Sequence, residues 1–528
     1  MKPTAPATRD PNATPSTGEH APPAGSIVGV IAGPALALAA WALLQWTAPA
    51  LPEAGRRAAA ILVWMAVWWL AEVVPLGITA LLPLVLMPIL GVLSVKDAAS
   101  PYADRIIYLF MGGFILALAM ERWHLHRRIA LIVMLIVGTG PRRLVLGLMS
   151  ATALLSMWVS NTATTLMMMP IAIGIASLVE RPEEKPGTHN PGEISRSSFT
   201  TALVLGVAYA GSIGGLGTPI GSPPNAVLTS YLDRTLNHSI GFGNWMLAGL
   251  PFVIVLIPVA WAYLVFVACP LKGPLTSASP GPTARDQLRR WYADLGPISR
   301  GEWGVMTCFG LTVSGWVSRE PIILLLDAHA MGTTAAYLKA NVDDAAIAMI
   351  GGLLAFVWPV SLKARSYVMD WPTFKRMPWD ILLLFGGGLC LAAGVQAAGL
   401  DTALGKELAG VAGWPVWLIV LLCSTISVFV SEFTSNVAQA NVFYPILGGV
   451  AAAAGVDPLA LLFPCCFSLS CAFMLPMGTP PNAIAFATGR VSMKRFAITG
   501  IGLNFIGILI VLLLTLIVLP HIPGMRLK

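Results

Sequence analysis

The chain has 528 residues, of which 56% are hydrophobic and 11% charged, against about 25% charged in soluble globular chains. No soluble interior absorbs so much apolar sequence, so the solvent this composition fits is a bilayer. The formal charge of +7 comes from 32 Lys+Arg against 25 Asp+Glu. Those basic residues stand in short clusters between apolar runs, as the positive-inside rule expects, which excludes a nucleic-acid-binding surface.

Residues 1–25 carry six prolines and no apolar block. They read as a disordered polar tail rather than a secretory signal. Apolar helical segments follow at about 26–46, 58–75, 76–93, 105–121, 200–216, 246–269, 303–318, 345–361, 381–399 and 498–520, each near the ~20 residues that cross a bilayer. Shorter apolar stretches, broken by Gly, Pro, Ser and Asn, lie at 144–180, 414–454 and 459–486. The seven cysteines sit in or at the ends of apolar segments without metal spacing and read as small core residues. The histidines fall in or beside polar loops, which leaves no partner for a Ser-His pair or a metal at membrane depth.

An internal repeat is visible. Leu109-Phe110-Met111-Gly112-Gly113 matches Leu384-Phe385-Gly386-Gly387-Gly388, and Ser160-Asn161-Thr162 matches Ser435-Asn436-Val437, both at an offset of 275. Gly221-Ser222-Pro223-Pro224-Asn225-Ala226 matches Gly478-Thr479-Pro480-Pro481-Asn482-Ala483 at an offset of 257. The slip of 18 is about the length of the polar loop 181–198, which the second half lacks. The stretch 120–143 holds Arg122, Arg127, Arg128, Arg142 and Arg143, while its counterpart 395–418 holds only Lys406. If basic residues mark the cytoplasm, equivalent positions lie on opposite sides, which is an inverted repeat. The loops 271–302 and 361–379 are basic and read as cytoplasmic, and 319–344 reads as external.

The expected organisation is therefore all-α and polytopic. The tail 1–25 precedes a first transmembrane helix and loop (26–56), a first repeat (57–269) with a hairpin at 144–180, and a basic cytoplasmic linker (270–302). A second repeat (303–520) with a hairpin at 414–454 and a C-terminal tail (521–528) complete it. About eleven transmembrane helices plus two re-entrant hairpins result, with the N-terminus in the cytoplasm of a bacterial inner membrane.

Each hairpin pairs two half-helices of about 15 residues, too short to span, that meet at Ser-Asn-Thr or Ser-Asn-Val. Freed backbone at membrane depth is tolerated where it lines a polar cavity. Its carbonyls, with Ser, Thr and Asn oxygens, are hard ligands suited to Na+, and the resuming helix offers N–H groups and a positive dipole end to an anion. The Pro-Pro-Asn breaks at 223–225 and 480–482 interrupt two further helices. Glu72 and Glu432 are carboxylates at membrane depth: Glu432 is a candidate for a cation or a proton, Glu72 for backbone capping or structural pairing.

These residues resemble the divalent-anion:sodium symporters. Trp68-Trp69-Leu70-Ala71-Glu72-Val73-Val74-Pro75-Leu76 with Thr79-Ala80-Leu81-Leu82-Pro83 is similar to that family's early signature, and the paired hairpins and Pro-Pro-Asn breaks to its core, over residues 26–520. The resemblance implies a homodimer in membrane lipid, a scaffold and an elevator-like transport domain, and Na+-driven uptake of a divalent anion. A C4-dicarboxylate such as succinate, malate or fumarate comes first; sulfate, citrate or anion exchange are the alternatives. It implies one Na+ site at Ser156, Ser160, Asn161 and the Gly221 carbonyl, and a second at Ser431, Ser435, Asn436 and the Gly478 carbonyl. The anion would touch Asn161, Thr162, Ser222, Asn436, Val437 and Thr479.

Val437 departs from the pattern, which has Thr there; a hydroxyl hydrogen bond is worth about 0.5–1.5 kcal/mol. Gln439 and Asn441 stand where the first hairpin has Thr164 and Leu166, so the anion's second pole is expected to be held differently. Neither tip carries Lys or Arg. Helix dipoles, amides and co-bound cations must then offset the anion, which favours symport. An intramembrane enzyme would need a base beside Ser160 or Ser435, and a channel a continuous polar path; the duplicated layout fits neither.

Overall fold

The structure, a computed structural model, describes residues 26–177, 196–271, 284–329, 331–400, 402–403 and 413–522. The expected tail 1–25, most of the loop 181–198, part of the basic linker, Lys406 and the chain after 522 lie outside these residues.

Among the described residues eight helices are long and apolar enough to cross a membrane: Val28–Thr47, Val95–Arg122, Ser198–Gly217, Phe242–Ala268, Arg300–Ala328, Trp379–Ala397, Asn436–Ala454 and Met493–His521. Joining Gly332–Asn341 to Asp344–Val357 across a 70° bend makes nine. The expected eleven are not reached because breakers cut the apolar runs. The segment 76–93 is two pieces, Leu76–Thr79 and Leu82–Ile89. Pro83 lacks an N–H, and its ring would collide with the Thr79 carbonyl in a continuous helix. The segment 58–75 ends at Leu70, and the chain then turns through Glu72 at φ 46°. Glu72 is exposed there rather than capping a buried helix end.

Other boundaries also move. The arginine-rich stretch 120–143 contains an unanticipated helix, Leu125–Val137, which buries His126. The linker contains Ala284–Asp294, and Arg300–Ala328 runs into the region expected to be an external loop. The helix expected over 345–361 stops at Val357, because the residue before Pro359 is driven out of the helical region. A short antiparallel ribbon, Pro359–Ser361 with Ser366–Tyr367, follows it and qualifies the all-α expectation. All seven cysteines are buried free thiols, as expected of core residues.

Burial sorts the helices. Ser198–Gly217 is 100% buried over its apolar window, whereas Arg300–Ala328 is 17% and Val28–Thr47 11% buried. The outer helices turn Leu324, Leu325, Ile350 and Leu353 outward, a surface suited to lipid rather than water. Arg105–Arg122 packs closely along Asp344–Val357, where a Cβ on Gly112 would collide with the Ala348 carbonyl. Such small-residue contacts let helices approach where burial gains little. Ion pairs tie both ends of Arg105–Arg122. At its start Asp104 pairs with Arg234 and Arg105 with Asp233. At its end Arg122 meets Asp370 at 2.8 Å and Glu121 meets Arg376 at 2.5 Å.

Candidate functional site

The first hairpin is Pro141–Ser156 and Asn161–Ser177; the second is Val416–Ser431 and Asn436–Ala454. The returning helices, at 17 and 19 residues, are longer than the 15 or so expected, and Asn436–Ala454, expected to be too short to span, is long and apolar enough to cross a membrane. Both resume at the Asn of the repeated Ser-Asn pair. The Ser160 hydroxyl accepts the Ala163 N–H at 3.3 Å, an N-cap contact. Ser435 makes no such capping bond.

The broken helices are built alike. In the first, the Asn225 side-chain amide donates to the carbonyls of Gly215 (2.9 Å) and Thr218 (2.8 Å). In the second, Asn482 donates to the carbonyls of Ala472 and Leu475, both at 3.0 Å. These pairs correspond at the offset of 257. Where a later helix crosses each break, a glycine lets it sit on a carbonyl: Gly249 against Leu216 O and Gly500 against Phe473 O. Pro-Pro at the first two helical positions removes two donors from each restarted helix. The free N–H groups that can meet an anion are thus concentrated at the hairpin helices.

The repeats interlock crosswise. Asn161–Ser177 of the first hairpin packs on Pro480–Ala487 of the second broken helix, and Asn436–Ala454 of the second hairpin packs on Pro223–Leu236. Tyr444 donates to the Pro224 carbonyl at 3.2 Å, and Cys466 to Asn225 Oδ1 at 3.4 Å.

At the first hairpin the Ser156 hydroxyl faces two acceptors, the Gly211 carbonyl at 2.6 Å and Asn161 Oδ1 at 2.7 Å. The same end of the Asn161 amide lies 3.0 Å from Gly211 O and 3.1 Å from Gly221 O. One hydroxyl proton cannot serve this group of oxygens. Turning the amide points its two N–H groups at Ser156 Oγ and the Gly211 and Gly221 carbonyls and satisfies the group without a cation; with the amide oxygen turned inward, four oxygens are left to hold one. The second hairpin repeats the problem: Ser431 faces Asn436 Oδ1 at 2.5 Å and the Leu469 carbonyl at 2.9 Å. Gly478 lies against the Ser431 carbonyl and the Glu432 carboxylate, which a Cβ there would meet at 3.3 and 2.9 Å.

Of the expected first-site ligands, Ser156, Asn161 and the Gly221 carbonyl are brought together, while the Ser160 hydroxyl is used as a cap. Of the second set, Ser431 and Asn436 are joined, with Gly478 beside Ser431. Among the expected anion contacts, Asn161, Thr162, Asn436 and Val437 are half-buried at the hairpin tips, and Ser222 and Thr479 are buried. The Thr479 hydroxyl accepts the Asn482 N–H at 3.3 Å, which leaves its own proton to donate.

Gln439 and Asn441 each turn the amide NH2 to neighbouring backbone. Gln439 is buried and donates to Ser427 O at 3.2 Å; Asn441 is buried, donates to Val437 O at 3.0 Å and rests on Gly388. The carbonyls of Gly211 and Leu469 were not anticipated, since a carbonyl leaves no mark in a sequence. Asn504 was also missed, although a lone amide within the apolar run 498–520 was a signal. It donates to Glu432 at 2.6 Å. Glu432, expected to bind a cation or proton directly, spends its oxygens on this bond and on the N–H groups of Met474 (2.8 Å) and Leu475 (2.7 Å).

Residues 34–520 match the family described as the sodium:sulfate symporter transmembrane region. The chain is 39% identical over 501 residues to the sodium-dependent dicarboxylate transporter SdcS of Staphylococcus saprophyticus, covering 95% of this chain and 92% of the relative. Against SdcS of Staphylococcus aureus it is 38% identical over 502 residues, with the same coverage. Two solved structures share the fold. The YdaH transporter of Alcanivorax borkumensis aligns with a TM-score of 0.56 and 14% identity, over 87% of this chain and 98% of that one. MtrF of Neisseria gonorrhoeae aligns with a TM-score of 0.53 and 12% identity, over 82% and 84%. At these identities the likeness speaks of fold alone, that of a multi-pass membrane transporter.

Proposed function

This chain belongs to the sodium:sulfate symporter family, and from that premise we propose that it is a Na+-coupled symporter of a C4-dicarboxylate. The observation that carries the reading is the pair of hairpin tips, each of which gathers a serine hydroxyl, an asparagine amide and a backbone carbonyl: Ser156, Asn161 and Gly211 in the first, Ser431, Asn436 and Leu469 in the second. Na+ sits among these hard oxygen atoms. Ser156, Asn161 and the carbonyls of Gly211 and Gly221 hold one ion; Ser431, Ser435, Asn436 and the Gly478 carbonyl hold the other. Ser160 completes the first tip.

The dianion lies between the tips, donated to by Asn161, Thr162, Asn436, Ser222 and Thr479, with Val437 as an apolar wall. Because no Lys or Arg stands at either tip, bound cations create the field the anion needs. Each therefore raises the other's affinity by the same factor, on the order of 5–150-fold. The crosswise packing of hairpins on broken helices lets these four elements move as one body, an elevator against a scaffold formed by the remaining helices. A homodimer in the inner membrane, with its repeats inverted and its N-terminus cytoplasmic, completes this reading.

The test is uptake into proteoliposomes of labelled succinate and labelled sulfate, each with an inward Na+ gradient and with K+ in its place. Succinate uptake that depends on Na+ and is blocked by fumarate or malate is the expected result. Sulfate uptake without succinate uptake would overturn the substrate assignment, and uptake indifferent to Na+ would overturn the coupling. In the same assay Val437→Thr is expected to lower the succinate KM by up to about tenfold, the worth of one added hydroxyl bond. An unchanged KM would show that position 437 does not face the anion.

A further inference from the structure

The two repeats are built alike but docked unequally. Trp158 stands midway between Ser156 and Ser160 at the first tip, and Phe433 midway between Ser431 and Ser435 at the second, again at the offset of 275. Trp158 is packed. Its ring lies 5.1 Å from Phe309, nearly perpendicular to it, and 6.2 Å from Phe242, almost parallel to it. Phe242 in turn stacks on Trp316 at 4.2 Å. Phe433, by contrast, is 63% exposed. The broken helices repeat the difference: Ile220 is 4% exposed and lies against Gly113, whereas its counterpart Met477 is 62% exposed. The tips of the first repeat are covered and those of the second are bare.

A receptor for Phe433 is nevertheless built. The helices Glu53–Leu70 and Arg300–Ala328 bury the same positions at an offset of 247: Ile61, Met65 and Trp69 match Cys308, Thr312 and Trp316. Each tryptophan donates to the first carbonyl of the next matching helix, Trp316 to Asp344 at 2.9 Å and Trp69 to Leu76 at 3.2 Å. Those helices correspond too, since a Cβ on Gly112 would collide with the Ala348 carbonyl and one on Gly387 with the Ala80 carbonyl. Leu62 therefore stands where Phe309 does, and Met493 opens its helix as Phe242 opens its own. We propose that Trp158 and Phe433 are alternate latches of the transport cycle. Trp158 on Phe309 and Phe242 holds the end state seen here; Phe433 on Leu62 and Met493 holds the opposite one. Both are positioning residues, and the inference rests on the elevator reading above.

The experiment follows alkylation of one introduced thiol by a water-soluble maleimide in purified full-length protein reconstituted for uptake. Met477→Cys is open in the state seen here and Ile220→Cys in the opposite one, and the buried native thiols supply the blank. Trp158→Ala removes two ring contacts and is expected to raise the rate at 220 relative to that at 477 at least about fivefold. Phe433→Ala takes away the apolar area that would be buried on Leu62 and Met493, and is expected to lower the same ratio at least about fivefold. The double variant Trp158→Ala/Phe433→Ala is expected to show the product of the two changes within about twofold. Opposed shifts separate latches from general loosening, which speeds alkylation at both positions. An unchanged ratio in either single variant, or shifts in the same direction, would overturn the inference and leave the elevator reading intact. An Ile220→Cys thiol that is never alkylated, in protein that still takes up substrate, would overturn the elevator reading and this inference with it.

Discussion

A methyl group at Gly215 is expected to remove Na+-dependent uptake. A Cβ there would overlap Asn161 Oδ1 and lie 3.0 Å from both its Cγ and Nδ2, well inside contact distance. Gly215 cannot easily retreat, because its carbonyl accepts from Asn225 and lies 2.5 Å from where a Cβ on Gly221 would be. Asn161 must then leave Ser156, Gly211 and Gly221 together. Contacts to a charged group are worth about 1.5–3 kcal/mol each. Losing two therefore weakens Na+ binding by more than about a hundredfold. The control lies in the other repeat, where the equivalent position is already Ala472 and its carbonyl still accepts from Asn482. Ala472→Gly is expected to cost about 1 kcal/mol or less of stability and to keep Na+ dependence. A Na+ titration of uptake for both variants decides the matter. Wild-type half-saturation in Gly215→Ala would remove Asn161 from the cation site.

The second large effect concerns folding. Arg128, on the helix Leu125–Val137, and Glu302, in the first turn of Arg300–Ala328, have side chains only 5% and 7% exposed and meet at 2.6 and 3.3 Å. The guanidinium also donates to the carbonyls of Leu295 and Gly296. Glu302 accepts the Ser299 N–H at 2.7 Å in a capping box. This one contact joins the first repeat to the end of the linker. Arg128→Met leaves a buried carboxylate and buried carbonyls without their donor, a loss of about 3–5 kcal/mol. Thermal unfolding in detergent should fall by several degrees, on the order expected for such a loss. The double variant Arg128→Met/Glu302→Leu should recover most of it, since an apolar pair leaves no charge behind. A single variant within about 1 °C of wild type would show that the pair is fully hydrated in solution.

The solvent of this protein and its duplicated plan are determined by the sequence itself. Composition acts on every residue at once, and breakers such as Pro-Pro-Asn and Ser-Asn act where they stand, which is why helices restart at Asn161 and Asn436. The number of spans was not readable: apolar runs do not show where Pro83 or the Trp358-Pro359 step cuts a helix, nor that arginines such as Arg127 and Arg128 lie on a helix of their own. Only the tertiary structure decided that Gly211 and Leu469 lend their carbonyls to the serines. The same holds for the packing of each hairpin on the opposite broken helix, the internal use of Gln439 and Asn441, and the absorption of Glu432 into a network with Asn504. The physical reason is common to all of these. A carbonyl has no side-chain identity, and whether a polar group faces a ligand or a neighbouring backbone is settled by what packs against it from tens to hundreds of residues away.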